Sequence, residues 1–306
     1  MHAAVLRYFE AVAADGSIRR ASERLSVSAS AVNRQILKLE DYFGTPLFER
    51  RPDGMRLTDC GRLVLDHFRA TLQDFARLKS EIDERRGIIS GTVTILTLDS
   101  LTVHFLPEVL SPFISEHPAV EVRVIAGDPK TTTHAITQGS ADLGLAFHSP
   151  HTRGVRVLGE VPCAMHAIMT PDHELAARAT VTLEECGAHP LIYQESSSSM
   201  DAFFGDEMEA FKRAHQPVLT SNTLALMKRL LLRGAGIAFY TRLGFVEELA
   251  AGRLVAVPIE DERLTRLRLS LITSSERSPT VAGRAMAEHL AAALARFAAD
   301  FETQTA

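Results

Sequence analysis

Residues 17–40 read SIRRASERLSVSASAVNRQILKLE, two short amphipathic runs on either side of a three-residue break. In the first run Ile18, Ala21 and Leu25 fall three and four apart, the repeat that lines one face of a helix. In the second run Val32, Ile36 and Leu39 keep the same spacing. Ser17 and Ser28 each stand where a hydroxyl caps the orphan amides of a helix start. Between the runs, Leu25-Ser26-Val27-Ser28 offers a tight turn flanked by apolar anchors, and the small Ala21 lets two helices cross closely. This is the pattern of a helix-turn-helix.

The outward face of the second run gives the pair its chemistry. Ser28, Ala29, Ser30, Asn33, Arg34 and Lys38 are small, polar or basic, and none is needed for a core. Set in a major groove, such a helix reaches base edges and phosphates with its first turns. There Arg34 suits a guanine and Asn33 an adenine. An ordinary solvated helix face carries the same pattern, so the residues that follow decide. After Phe43 comes GTPLFERRPDGMRLTDCG, in which 47–51 and 55–58 are short extended runs joined by Pro52-Asp53-Gly54. The hairpin places Arg50, Arg51 and Arg56 at or beside its tip, where cations lie along a sugar-phosphate backbone and add affinity without sequence information.

In these stretches the chain resembles the LysR-type transcriptional regulators. The resemblance is carried by LRYFEAVAADGSIRRASERLSVSASAVNRQILKLED, GTPLFERR and RLTDCG, and it runs without gaps through the first sixty or so residues. It implies a winged helix-turn-helix head, a linker helix that pairs two subunits, and an effector domain like the periplasmic binding proteins. Many members carry Gln-Pro where this chain has Ala29-Ser30, so an operator sequence cannot be carried over.

Composition bounds the alternatives. A length of 306 residues suggests two or three domains, and an apolar content of 46% describes a globular chain. No apolar run approaches the roughly 18 residues of a membrane helix, and no signal peptide is expected before the first helix. Cys60, Cys163 and Cys186 are too few and too scattered for a disulfide framework or a zinc site, which fits a reducing cytoplasm. The net charge is −5, yet through Thr58 nine Lys/Arg face seven Asp/Glu, a local net of +2. So weak an excess makes binding depend on where the arginines point and on two heads acting together.

In chain order, Val5, Leu6, Phe9, Val12 and Ala13 make a first helix ended by Asp15-Gly16, completing a head over 1–58. A long helix then follows, with Thr58 as its cap. Leu65, Phe68, Leu72, Phe75 and Ile82 recur along it at three-four spacing, interrupted by Lys79, a coiled-coil seam that implies a partner helix. A helix packed on its own domain shows the same stripe. The linker and hinge are expected over 59–90, with 87–91 (GIISG) as the hinge. Beyond it strands alternate with helices: strands at 92–98, 120–126 and 143–147 with helices at 105–116 and 131–138 between them. A second series has strands at 164–170, 191–194 and 237–240, helices at 201–214, 224–233 and 245–251, a last strand around Leu267–Leu271 and a terminal helix from Ser278-Pro279 to about Phe297. This points to an effector domain over 91–302, as two α/β subdomains with largely parallel sheets. Subdomain I is expected at 91–162 and 267–302, subdomain II at 163–266.

In open α/β sheets ligands bind beyond the carboxyl ends of strands. The first strand ends at Asp99-Ser100-Leu101-Thr102, whose hydroxyls and helix amides favour a negative group. The resemblance implies that Ser100 faces an effector carboxylate, and that Gly127-Asp128, Phe147-His148 and Ser221-Asn222-Thr223 line the cleft. Across it stands the serine run Ser196, Ser197, Ser198 and Ser199. The expected effector contacts are therefore Ser100, Leu101, Thr102, Asp128, Phe147, Ser196, Ser197, Ser198 and Asn222. Plain helix caps and a flexible serine loop would look the same.

Two rival functions are open. One is a hydrolase-like α/β enzyme fused to the head, the other an architectural DNA-binding oligomer without a ligand. His148 and His151 lack a third metal ligand, and no Gly-x-Ser-x-Gly elbow, Gly-Lys-Ser/Thr phosphate loop or His-Glu-x-x-His occurs. Gly234-Ala235-Gly236 follows a helix and leads into a strand, the reverse of a dinucleotide site. The reading is a ligand-responsive regulator with no catalytic residue, metal or cofactor. Its partners are double-stranded operator DNA, a small effector, a carboxylate by resemblance, and one or three further copies of the chain (the family usually forms tetramers).

Overall fold

The computed structural model describes residues 2–52, 54–147, 153–195 and 210–303. Asp53, the His148/His151 pair, the serines at 196–199 and most of the expected helix at 201–214 lie outside the described residues. The chain forms two compact units, one up to Gly87 and one from Ile88 on, with Gln138–Ser140 grouped with the first.

The first unit runs α1 (His2–Asp15), α2 (Ile18–Arg24), α3 (Ala29–Phe43), β1 (Phe48–Arg51), β2 (Gly54–Leu57) and α4 (Asp59–Glu84). The caps fall where hydroxyls were expected. Ser17 Oγ accepts from Arg20 N, Ser28 Oγ from Ala31 N and Thr58 Oγ1 from Gly61 N. Ser26 turns the chain between α2 and α3 at a φ of 55°, a left-handed conformation that glycine adopts at lower cost. Ala21, Val32 and Ile36 are buried with Leu6, Phe9 and Val12 of α1. Phe9, wholly buried, sits 4.9 Å from the ring of Phe48 and 5.4 Å, edge-on, from that of Phe68. The wing is tied to α3 by Glu40, whose carboxylate accepts from the amides of Leu47 (2.8 Å) and Phe48 (3.1 Å).

The apolar stripe of α4 divides in two. Val64, Leu65 and Phe68 are buried in the head's own core and Leu72 packs against it. Phe75, Leu78 and Ile82 are each about half exposed. The stripe expected to face a partner along its whole length thus does so over its second half at most, because the first half is what closes the head.

The second unit holds two five-stranded sheets. The first has the order β4-β3-β5-β12-β6, made of β3 (Gly91–Thr97), β4 (Val120–Ala126), β5 (Leu143–Phe147), β6 (Val155–Pro162) and β12 (Arg268–Ser274). The second has the order β11-β7-β10-β8-β9, made of β7 (Met165–Met169), β8 (Leu191–Gln194), β9 (Leu219–Ser221), β10 (Ile237–Thr241) and β11 (Val255–Pro258). Helices α5 (Phe105–Glu116), α6 (Pro129–Gln138), α7 (Leu183–Gly187), α8 (Leu224–Leu231), α9 (Val246–Ala250), α10 (Glu262–Thr265) and α11 (Val281–Thr303) accompany them. All five residues of β5 are buried, as a strand covered on both faces must be.

The sheets are mixed rather than largely parallel. β3 pairs parallel with β4 and β5, and β8 with β9 and β10. β12 runs antiparallel to β5 and β6, and β7 antiparallel to β10 and β11. The antiparallel strands are those that carry the chain out of one sheet, through β6 into β7, and back through β11 into β12. The sequence reading omitted β6, β9 and β11. Helix α8 is anchored by a buried ion pair, Lys228 Nζ to Glu248 at 2.7 Å, with the ammonium 5.6 Å over the ring of Phe245.

Gly61 generates a test of the head. A Cβ there would stand 2.0 Å from the carbonyl oxygen of Leu47, a backbone atom that cannot step aside. Within a helix Gly→Ala ordinarily stabilises by about 1 kcal/mol. Here Gly61→Ala is expected to destabilise the head by about 2 kcal/mol or more, seen as a lower urea midpoint.

Candidate nucleic-acid interface and ligand cleft

On the head, Ser28, Ala29, Ser30, Arg34 and Lys38 are exposed on one side of α3, and Asn33 is half-buried beside them. Arg34 and Lys38 make no ion pair among the described residues. Asn33 is linked to the wing, since the guanidinium of Arg50 donates to its Oδ1 at 3.3 Å. The α3 surface and the wing therefore meet. Arg51 is held by Glu49 at 2.8 and 3.1 Å, and Arg56 stands opposite Glu49 in the β1–β2 register. In this register Arg51 and Arg56 share a strand face with Glu49, whose carboxylate reduces the local positive potential.

In the second unit a cavity of about 440 Å³ opens between the two sheets. It lies where the strand rule puts it. Leu98, Asp99 and Ser100 follow β3, Ala126 to Asp128 close β4, and Phe147 ends β5; Gln194 and Glu195 close β8, Asn222 and Thr223 follow β9, and Tyr240 and Thr241 end β10. The carboxyl ends of six strands thus converge on one crevice. Phe147, Tyr193, Phe239 and Tyr240 give it aromatic walls. Two crossovers frame it, joined where the Cys163 amide donates to the Leu267 carbonyl at 2.8 Å.

Of the expected effector contacts, Ser100, Asp128, Phe147 and Asn222 line this cavity. Ser100 is largely buried, its Cβ close against Gly244. Leu101 and Thr102 do not line it. Leu101 is wholly buried in the core, and the Thr102 hydroxyl turns back to donate to the Asp99 carbonyl at 2.7 Å. Both follow from the single 3-10 turn at Asp99–Leu101, after which the side chains of Leu101 and Thr102 lie away from the crevice. Ser196, Ser197 and Ser198 lie outside the described residues.

Several lining groups escaped the sequence reading. Asp99 was noticed only as part of its loop, yet its carboxylate reaches across the crevice and accepts from the Leu224 amide, the first of α8, at 2.8 Å. Asp128 caps α6, accepting from the Thr131 amide at 2.9 Å and from its hydroxyl at 2.8 Å. Lys212 places its ammonium 5.7 Å over the Tyr193 ring, and burial pushes the Tyr193 phenol up to about 12. Tyr240 and Thr241 were within reach of the sequence, because they end a strand that follows Gly234-Ala235-Gly236. Nothing in the sequence pointed to Lys212.

Burial raises both interior thiols, Cys163 and Cys186, to about 12, so neither is a nucleophile at neutral pH. Among the described residues no group of His, Cys, Asp and Glu is disposed to hold a metal ion, and no helix is long and apolar enough to cross a membrane.

The chain is similar to known proteins over most of its length. Residues 4–62 match the family model for bacterial regulatory helix-turn-helix proteins of the lysR family, and residues 86–295 match the LysR substrate binding domain. The RuBisCO operon transcriptional regulator of Allochromatium vinosum is 27% identical over 259 residues, 83% of this chain and 84% of that protein. The regulator CbbR of Rhizobium meliloti is 27% identical over 298 residues, covering 95% and 93%. Among solved structures, a full-length OxyR cysteine-to-aspartate variant from Pseudomonas aeruginosa superposes with a TM-score of 0.68 at 16% identity, covering 96% of this chain and 94% of that one. Full-length CbnR complexed with its target DNA does so with a TM-score of 0.59 at 21% identity, covering 96% and 100%. At such identities these two show the fold. The family models together span most of the sequence, and the chain belongs to the LysR family of ligand-responsive, DNA-binding transcriptional regulators.

Proposed function

We propose that the first turns of α3 read bases in a major groove, that the wing follows the adjacent backbone, and that the cavity between the two sheets is the effector site. The observation that carries the DNA reading is the exposed row Ser30, Arg34 and Lys38 on the α3 face away from the core, with Arg34 and Lys38 free of ion pairs among the described residues. Asn33 enters the same reading through Arg50, which orients its amide. In this reading the head covers 1–58, the linker 59–90 and the effector domain 91–302.

The head's slight positive excess makes single binding weak, and pairing offsets that. Two linked heads gain through effective concentration and match a two-fold symmetric operator. Phe75, Leu78 and Ile82, half exposed at three-four spacing, supply the apolar strip on which two copies of α4 pair. The cleft then acts by binding, not by turnover. Its lining offers hydroxyls, carboxylates and aromatic rings, while the nearby Cys163 thiol stays protonated. An effector moves the head spacing only by its differential affinity for two arrangements of the chain.

Three outcomes test this reading. Arg34→Ala is expected to cost about 1–3 kcal/mol on the cognate operator and to relax base preference at one position. Uniform loss on all sequences would assign Arg34 to the backbone instead. Glu49→Ala removes the carboxylate that holds Arg51, so binding should tighten on every sequence, with a salt slope steeper by about one. Unchanged salt dependence would take the wing off the phosphates. Phe75→Asp should halve the assembly mass by light scattering while leaving the head folded, since it places a charge in an apolar seam. Leu72→Asp should instead unfold the head. An unaltered mass for Phe75→Asp would move the seam elsewhere.

A further inference from the structure

The crevice has a charge pattern that bears on what it binds. Among the described residues its lining carries three carboxylates, Asp99, Asp128 and Glu195, against one ammonium, Lys212. Among the described residues, Asp99 and Asp128 already occupy two helix starts beside the cavity. Asp99 fills the Leu224 amide of α8, where the neighbouring Thr223 amide is taken by Ser221 Oγ at 3.0 Å, and Asp128 fills the Thr131 amide of α6. Helix starts are the backbone groups that would otherwise attract an anionic ligand. Here protein carboxylates stand in that place, and a ligand carboxylate would have to displace them or lie beside them.

Glu195 completes the pattern. It is exposed at the end of β8, and its carboxylate makes no hydrogen bond or ion pair among the described residues. The same cavity is lined by Phe147, Tyr193, Phe239 and Tyr240, and an aromatic face attracts a cation. Tyr193 already carries one in Lys212. A volume of about 440 Å³ falls within the range of small-molecule sites.

We propose that the effector of this chain is a small organic cation, an amine or guanidinium on a short apolar body, whose charged head is received by Glu195 and the Asp99 side of the crevice while its body lies on the aromatic walls. The assignment rests on the reading of the crevice as the effector site. It departs from the carboxylate that the family resemblance implies, because Thr102 faces away and Asp99 and Asp128 already fill amides at helix starts on the cavity.

The test uses the full chain and four probes, in isothermal titration and in parallel operator-binding assays. Phenethylamine and agmatine are the cations, 3-phenylpropionate the anion and 2-phenylethanol the neutral body. The cations are expected to bind at least about tenfold more tightly than 3-phenylpropionate, a difference of about 1.4 kcal/mol. Glu195→Gln should erase that preference without changing 2-phenylethanol binding. Asp99→Asn keeps an acceptor for the Leu224 amide, so it should fold normally and weaken the amines alone. Tighter binding of the anion would overturn the charge assignment and leave the effector site standing. Silence from all four probes in both assays would overturn the proposal and the effector reading together. Amine binding unaffected by both variants would also overturn it, since the charge would then be received elsewhere.

Discussion

The hydrogen bond from the Cys163 amide to the Leu267 carbonyl, 2.8 Å long, joins the two passages of chain between the sheets of the second unit. The outgoing passage leaves β6 and enters β7, and the returning one leaves β11 and enters β12. Because they run side by side, the two sheets present the carboxyl ends of their parallel strands to a common space. That single arrangement makes the crevice and lets Asp99 cap a helix from the opposite sheet. It also limits how the sheets can move. A change in the angle between them must bend two adjacent crossovers at once, which favours a hinge motion over sliding. A ligand touching both sides is then well placed to bias that angle.

The head solves a different problem. Its core is small, and few positions in it can vary independently. Phe9 fills the centre between Phe48 of the wing and Phe68 of α4, so wing, first helix and long helix share one packing site. Gly61 permits the backbone of α4 to approach the carbonyl of Leu47, and Glu40 ties the same strand entry to α3. The relation between α3 and the wing is thereby fixed by backbone contacts as well as by side chains. If, as proposed, both surfaces dock on DNA, their rigid placement keeps the entropic cost low. On that proposal the modest charge of this surface leaves specificity to a few groups and affinity to the pairing of heads.

Much of this was legible in the sequence where a local rule decides the matter. Ser17, Ser28 and Thr58 cap helices because a hydroxyl before an apolar periodic run has one favoured partner, the nearby amides. The three-four spacing of Val32 and Ile36 placed α3 correctly for the same reason. The rest depended on distant parts of the chain. Leu65 and Phe75 have the same spacing on α4, yet one is buried in the head and the other is half exposed, which periodicity cannot distinguish. Thr102 lies two residues from Ser100, but a single 3-10 turn aims it away from the crevice. Asp99 meets Leu224 across 125 positions of sequence, and Lys212 arrives from a helix that no local pattern connects to the cavity. Strands β6 and β11 were missed, and β7 and β12 were not recognised as antiparallel, because their pairing follows from the chain passing out of one sheet and back.

The most direct measurement is a competition titration of the full chain on DNA flanking its own gene, against random duplex of equal length at moderate salt. Paired heads carrying Arg34 and its neighbours into successive major grooves predict a preference of about 10³-fold or more for a discrete, two-fold symmetric segment, altered in strength or spacing by the ligand that fills the crevice. Equal affinity for both duplexes, with or without ligand, would contradict it.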